Sequence, residues 1–75
     1  MGIAKEEAEE MAVRFTYHPP KGNQQEDYET IRNYAHTFAL LINDVVPMSR
    51  EQSLAITKLE EVVFWANAGI ARRTV

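Results

Sequence analysis

Cysteine is absent from the 75 residues, which excludes a disulfide framework and a metal site built from thiolates. The apolar runs are too short to cross a bilayer, and the acidic stretch 1–10 is unlike the basic and then apolar start of a signal peptide. The sequence therefore predicts a cytoplasmic protein without a membrane partner.

Positive charge is also in the minority, because 8 lysines and arginines face 11 acidic residues and the net charge is −3. Duplex nucleic acid requires a basic face, so this class of partner is disfavoured, whereas a local anion pocket formed by a few arginines is still allowed. No repeat or domain boundary is visible, and residues 1–75 are expected to form a single domain. A chain this short without metal or disulfide usually gains stability by oligomerisation.

Residues 49–73 predict a long helix. Ser49 and Gln52 have the spacing of a capping box at its start. Phe64 and Trp65 lie off the main apolar stripe, so this helix offers apolar surface to more than one neighbour. The stripe itself follows alternating spacings of three and four: Ile56, Leu59, Val63, Ala66 and Ile70.

The last turns of this helix are rich in small residues and end on two arginines, Arg72 and Arg73. Small residues allow another backbone to approach closely, and cations suit the negative end of a helix dipole. We therefore expect an oligomer interface on this helix, formed by Phe64, Trp65, Ala66 and Gly69.

The first part of the chain predicts a short helix and then an extended arm. Residues 3–13 have a thin apolar side, which suits a marginal helix. Residues 14–20 end in two prolines, which favour extended backbone. Phe15 and Tyr17 should share one side of this arm. Phe15 is expected to hold the arm against the helices, whereas Tyr17 suits packing and base stacking equally well.

A second long helix is predicted after a turn at residues 21–23. Asn23 and Glu26 have the spacing of a capping box, and Pro47 should end the helix because it excludes helical geometry at Val46. The short link that follows requires the next helix to return antiparallel, so the predicted fold is an all-α hairpin. Its expected seam is Tyr28, Ile31, Ala35, Phe38, Ile42 and Val45.

No catalytic or metal-binding constellation is present in the sequence. His18 and His36 lie on different elements without the spacing of metal ligands. Glu60 and Glu61 are adjacent on a helix and point about 100° apart, so they form a solvated face rather than a carboxylate pair. We therefore expect neither enzymatic activity nor a cofactor.

The basic residues are informative by position. An antiparallel hairpin brings the end of the second long helix next to the start of the first and next to the arm. Guanidinium groups suit phosphates and aromatic faces suit bases, so this end of the hairpin is a candidate anion site. The residues expected to converge there are Arg14, Tyr17, Lys21, Arg32, Arg72 and Arg73.

Two parts of the chain resemble a known family, the phage anti-CBASS and anti-Thoeris cyclic-nucleotide sponges. They are the arm Tyr17-His18-Pro19 and the C-terminal block, with REQSLAITKLEE at residues 50–61 and WANAGIAR at residues 65–72. The resemblance covers residues 15–73. It implies a helical hairpin that assembles into a hexamer and binds cyclic immune signals without cleaving them. Pockets between two protomers would take cyclic dinucleotides or cyclic ADP-ribose variants, and pockets among three would take cyclic trinucleotides.

The resemblance also implies roles for individual residues. Tyr17, on the arm with His18 and Pro19, looks like the stacking aromatic residue of the family. Arg32 looks like the basic residue that holds a phosphate of a cyclic dinucleotide. Arg72 or Arg73 occupies the place of the arginine at the trinucleotide site.

The expected function is therefore a counter-defence sponge in the host cytoplasm, with its preferred ligand left open. A helical module that inhibits a protein partner through Phe64 and Trp65 is the alternative. A phosphodiesterase-like enzyme is disfavoured, because the sequence offers neither a metal set nor a nucleophile.

Overall fold

The computed structural model describes residues 4–73, which form an all-α fold. Its three helices are α1 (Lys5–Phe15), α2 (Gln24–Val45) and α3 (Arg50–Arg73). The α2 and α3 helices pack against each other as the predicted antiparallel hairpin, with α1 in front of it. The molecule measures 53 × 34 × 13 Å, so it is a thin layer. No helix among residues 4–73 is long and apolar enough to cross a membrane.

Helix α1 is shifted towards the C-terminus relative to its prediction. The expected start at residue 3 lies outside the described residues, and Ala4 is extended (φ −61°, ψ 151°). The helix continues through Phe15, and the extended arm begins at Thr16 (φ −109°, ψ 139°), so the expected arm start at Arg14 is wrong. The prolines restrict only His18 directly, and Arg14 pairs with Glu10 one helical turn earlier, at 3.5 Å.

Helix α2 begins after the predicted turn, where Gly22 has a positive φ of 52°. Asn23 is its N-cap by position, but the expected capping box is wrong, because the Asn23 side chain makes no capping hydrogen bond. Its φ and ψ of −87° and 8° differ from the extended conformation of a capping residue. Instead, Gln24 Oε1 accepts a hydrogen bond from the Lys21 amide at 2.9 Å.

The link between α2 and α3 is as predicted. Val46 is extended (φ −98°, ψ 127°) before Pro47, and Ser49 Oγ caps α3 by accepting a hydrogen bond from the Gln52 amide at 3.1 Å. The Gln52 side chain does not complete the capping box. Its Nε2 donates to the carbonyl oxygens of Val46 and Asn43, at 2.9 and 3.3 Å, and so satisfies acceptors at the end of α2.

The seam of the hairpin is narrower than the predicted one. The α3 stripe is half-buried as expected, but Phe38 and Val45 of α2 are exposed, and Ala39 is half-buried in their vicinity. The half-buried positions on α2 are spaced three, four, four and three residues apart, so between Tyr28 and Ile42 the seam differs from the predicted one only in that Ala39 takes the place of Phe38. They are Tyr28, Ile31, Ala35, Ala39 and Ile42.

The described part of the chain contains no fully buried apolar side chain. Gln24 is the buried residue there, at 5% exposure. Phe15 is 86% exposed, so the expectation that it holds the arm against the helices is wrong for the single chain. Two helices and a thin third offer too little surface to cover the large apolar side chains.

Candidate functional site

The open end of the hairpin contains a concavity of about 510 Å³, which we call the arm concavity. It lies where the arm meets the first turns of α2 and the last turns of α3. Its lining residues are Arg14, Thr16, Tyr17, His18, Tyr28, Arg32, Asn67, Ala68, Ala71 and Arg72.

Three of the five cations expected at this end line the arm concavity, namely Arg14, Arg32 and Arg72. They come from three different helices, so the fold rather than the local sequence brings them together. The Tyr17 side chain lies among them and is 80% exposed, which leaves its ring face available for stacking. The arrangement suits an anion that carries an aromatic base.

Helical spacing explains how the walls are built. Tyr28 and Arg32 are four residues apart on α2, and Ala68 and Arg72 are four apart on α3, so each pair lies on one helix face. The small side chain of Ala68 leaves room between the two walls. Lys21, the fourth expected cation, does not line this concavity, and it lies in the turn before α2.

The arm is held against α1 by a hydrogen bond. His18 Nε2 donates to the carbonyl oxygen of Val13 at 2.7 Å. This carbonyl belongs to the last turn of α1, where helical acceptors lack intrahelical partners. This hydrogen bond therefore fixes the position of the arm immediately after Tyr17. Pro19 is exposed and does not line the arm concavity.

Arg73 lies on the other side of α3 and pairs with α1. Its two terminal nitrogens donate to the carboxylate of Glu10, at 3.2 and 2.5 Å. Both residues line a second concavity of about 510 Å³, which we call the Trp65 concavity. Its lining residues are Glu10, Arg14, Phe15, Trp65, Ala68, Gly69, Arg72 and Arg73. Arg72 and Arg14 line both concavities, whereas Arg73 lines this one.

Charge pairing changes the acid–base properties of this cluster. Hydrogen bonding from Arg73 holds the pKa of Glu10 below its ordinary value of 4.5, and the charges of Arg73 and Arg14 act in the same direction. The same hydrogen bond raises the pKa of Arg73. Glu10 is therefore a carboxylate at neutral pH and balances part of the positive charge at this end.

A third concavity, the hairpin groove, has a volume of about 300 Å³ and runs along one face of α2 and α3. Phe64 and Arg32 are among the residues that line it. Trp65 lines the Trp65 concavity instead, so the two adjacent aromatic residues belong to different surfaces. Of the other two expected interface residues, Gly69 lies with Trp65, and Ala66 lies on the half-buried stripe of α3.

Sequence reasoning did not identify three residues of these sites. Tyr28 is predicted there as part of the hairpin seam, and Asn67 and Glu10 have no individual role. The Asn67 Oδ1 atom is shielded from solvent and makes no hydrogen bond with the residues that the structure describes. The four-residue spacing from Tyr28 to Arg32 was a usable signal, but the pairing of Glu10 with Arg73 depends on tertiary structure.

Across residues 4–73, no group of three or more His, Cys, Asp or Glu side chains could hold a metal ion.

Comparison with protein families gives one match. The model of the family described as "Acb2/Tad1, hairpin domain" matches residues 7–71, which cover most of α1, the arm, α2 and nearly all of α3. Comparisons with curated proteins and with solved structures give no match.

Proposed function

Because the chain belongs to the Acb2/Tad1 hairpin-domain family, phage anti-CBASS and anti-Thoeris sponges without catalytic activity, we propose that it sequesters cyclic nucleotide immune signals. The ligands would be cyclic dinucleotides, cyclic trinucleotides or cyclic ADP-ribose variants. The observation that carries this proposal is the arm concavity, in which Tyr17 lies among Arg14, Arg32 and Arg72.

The chemistry of the arm concavity fits such a ligand. A cyclic dinucleotide presents two phosphodiester charges and two aromatic bases. Guanidinium groups bind phosphate oxygens through paired hydrogen bonds, and an exposed tyrosine ring stacks on a base. The volume of about 510 Å³ lies within the range of small-molecule sites, roughly 300–1,000 Å³. We assign base stacking to Tyr17 and phosphate binding to Arg32, with His18 and Pro19 shaping the arm.

Arg72 and Arg73 are assigned to a second type of pocket that takes cyclic trinucleotides. Both line the Trp65 concavity, and Arg72 also lines the arm concavity. Arg72 therefore serves both pockets in this proposal, whereas Arg73 serves the trinucleotide pocket alone.

The exposed surface supports assembly into a homo-oligomer, for which we propose a hexamer. The chain exposes 6361 Å², whereas a folded monomer of 8.6 kDa is expected to expose about 4,700 Å². The difference is on the order of the surface that one protein buries in one or two standard interfaces. Phe64 and Trp65 are exposed large apolar residues on separate surfaces, which suits contact with more than one neighbour.

Gly69 supports the same assembly. A Cβ atom built at Gly69 would meet no atom within 4 Å, so nothing inside the single chain requires glycine there. Glycine in a helix interior costs roughly 1 kcal/mol relative to alanine. Close approach of another protomer near Ala66 and Gly69 would account for this cost.

Sequestration in the host cytoplasm requires no chemical step. A sponge lowers the free concentration of the signal by mass action, so it needs high affinity, slow release and sufficient protein. Host effectors that depend on the signal would then stay inactive.

Recovery of the ligand tests this function directly. The protein would be incubated with cyclic dinucleotides, cyclic trinucleotides or cyclic ADP-ribose isomers, separated from free ligand and then denatured by heat. We expect the bound nucleotide to be released intact. Recovery of a linear product would indicate an enzyme, and absence of binding would indicate a different function.

An inhibitor of a protein partner is the second candidate. The observation that favours it is the exposure of Trp65, at 70%, and of Phe64 on the neighbouring surface. Such a module would bind no cyclic nucleotide. In that case, replacement of Trp65 would abolish partner binding without changing the oligomer mass.

A further inference from the structure

Glu10 connects two arginines that line the candidate pockets. Its carboxylate accepts hydrogen bonds from both terminal nitrogens of Arg73, at 3.2 and 2.5 Å, and lies 3.5 Å from Arg14 Nε. The pairing with Arg73 joins the middle of α1 to the end of α3 across 63 positions of sequence.

This geometry places a carboxylate where phosphate oxygens would bind. The fork of a guanidinium accepts a carboxylate or a phosphate through the same pair of hydrogen bonds. Arg14 and Arg73 both line the Trp65 concavity, and Arg14 also lines the arm concavity. One internal negative charge therefore lies within reach of two ligand-facing cations.

Among residues 4–73, no other titratable group in the concavities that Glu10 lines competes with it for Arg73 and Arg14. Besides the Trp65 concavity, Glu10 lines a smaller one of about 280 Å³ on α1, with Glu6, Glu7, Met11 and Arg14. The titratable groups of these two concavities that do not pair with Glu10 are Glu6, Glu7 and Arg72. Helix α2 contributes no residue to either of them. Glu10 is thus the carboxylate that balances Arg73 and Arg14.

We propose that Glu10 is a specificity-determining residue, an internal carboxylate that competes with ligand phosphates for Arg73 and Arg14. A ligand phosphate takes the paired hydrogen bonds of Arg73 only by replacing Glu10, so ligands with several phosphates are favoured over ligands with one. The identity of the nucleotide ligand rests on the proposed function, whereas the competition itself concerns phosphate groups in general.

Competition differs measurably from a purely structural role. If Glu10 only ties α1 to α3, its replacement loosens α1 and leaves anion affinity unchanged or lower. If Glu10 competes with phosphate, its replacement frees both arginines and raises anion affinity. The competing role therefore predicts a rise in anion affinity when Glu10 is replaced, and the structural role predicts no change or a fall.

The test compares Glu10→Gln with Glu9→Gln. Both variants remove one negative charge, so they change the net charge equally. Glu9 is an exposed neighbour on α1 that lines neither of the concavities that Glu10 lines, so it controls for charge alone. Binding of tripolyphosphate and of cyclic tri-AMP would be measured by calorimetry at low salt. We expect Glu10→Gln to bind both about fivefold to tenfold more tightly than Glu9→Gln, since a unit charge a few ångströms away is removed.

Two further comparisons locate the effect. In an Arg73→Ala, Arg14→Ala background, Glu10→Gln should give no gain, because the competing cations are absent. The gain should also shrink at high salt, because exposed charges are screened. Equal affinities of Glu10→Gln and Glu9→Gln for tripolyphosphate, or a lower affinity of Glu10→Gln, would overturn the proposal. Tripolyphosphate carries no base, so failure of all variants to bind cyclic nucleotides would refute the proposed function separately.

Discussion

Gln24 and Ile70 join the start of α2 to the end of α3, because Gln24 Nε2 donates to the Ile70 carbonyl oxygen at 3.1 Å. Gln24 Oε1 accepts a hydrogen bond from the Lys21 backbone amide, and Gln24 is buried. One residue therefore closes the turn before α2 and ties it to the opposite helix. Tyr28 and Ala71, which line the arm concavity, lie within about one helical turn of this junction.

Replacement of Gln24 by leucine should destabilise the hairpin by about 1–3 kcal/mol, because the Lys21 amide and the Ile70 carbonyl lose a partner. Gln25→Leu, at the exposed next position, is the matched control and should change the free energy of unfolding by less than about 0.5 kcal/mol. Urea unfolding at fixed protein concentration measures both. Equal stability of the two variants would contradict the structural role of Gln24.

Local signals in the sequence predicted the hairpin correctly. The three-and-four spacing of α3, the Ser49 cap and the Val46-Pro47 stop act within one or two helical turns, so they can be read from a single sequence. The convergence of Arg32 and Arg72 could also be predicted, because an antiparallel hairpin brings the first half of α2 next to the last turns of α3.

Features that depend on distant contacts were not predictable. The bonds from Gln24 to Ile70 and from Glu10 to Arg73 join residues far apart in sequence, and no periodicity encodes them. The seam was predicted one position off at Phe38 and too long at Val45, because periodicity alone shows neither the rotation of a helix against its neighbour nor where their contact ends. In this hairpin, Phe38 lies at the edge of the contact and stays exposed.

Assembly should bury Trp65. This indole is 70% exposed in the single chain and lines the Trp65 concavity together with Phe15, which is 86% exposed, so the two form an apolar patch that suits an interface. We expect blue-shifted tryptophan fluorescence in the assembled protein, a shift to longer wavelength on dilution, and a loss of oligomer mass in Trp65→Ala. Fluorescence typical of free indole at the full oligomer mass would contradict the assignment.

The Glu10–Arg73 pair should depend on acid pH. Because the folded pKa of Glu10 is below 4.5, the pair stabilises the docking of α1 fully above this value. The contribution is lost as pH falls through the lowered pKa. Protection of the α1 amides, measured relative to their intrinsic exchange rates at each pH, should therefore fall with acid in the parent and not follow this titration in Glu10→Gln. Titration of Glu10 by NMR at or above 4.5 would contradict the prediction.

Arg72 and Arg73 should differ in the ligands that they affect. Arg73→Ala should weaken binding of cyclic trinucleotides and leave binding of cyclic dinucleotides nearly unchanged, because Arg73 lines the Trp65 concavity and not the arm concavity. Arg72→Ala should weaken both, because Arg72 lines both. Calorimetry on variants that keep the parent oligomer mass measures the four affinities. Equal losses for both ligands in Arg73→Ala would show that the two pockets are not separate.

Tyr17 and Arg32 should form one dinucleotide pocket, with the ring on a base and the guanidinium on a phosphate. A base–aromatic stack contributes roughly 1–3 kcal/mol, and a charge-assisted hydrogen bond contributes about 1.5–3 kcal/mol. Tyr17→Ala and Arg32→Ala should therefore each lower affinity by about tenfold to a hundredfold. Arg32→Lys should bind better than Arg32→Ala, because the charge is kept, although the paired hydrogen bonds are lost.

The chain offers matched controls for both residues. Tyr34 is an exposed tyrosine on α2, and Arg50 is an exposed arginine at the opposite end of the hairpin; neither lines the arm concavity. Tyr34→Ala and Arg50→Ala should bind cyclic dinucleotides as the parent does. The His18 hydrogen bond and the two prolines hold the arm before binding, so little ordering cost offsets the stacking of Tyr17. If intact oligomers of Tyr17→Ala and Arg32→Ala bound as tightly as these controls, the pocket would lie elsewhere on the molecule.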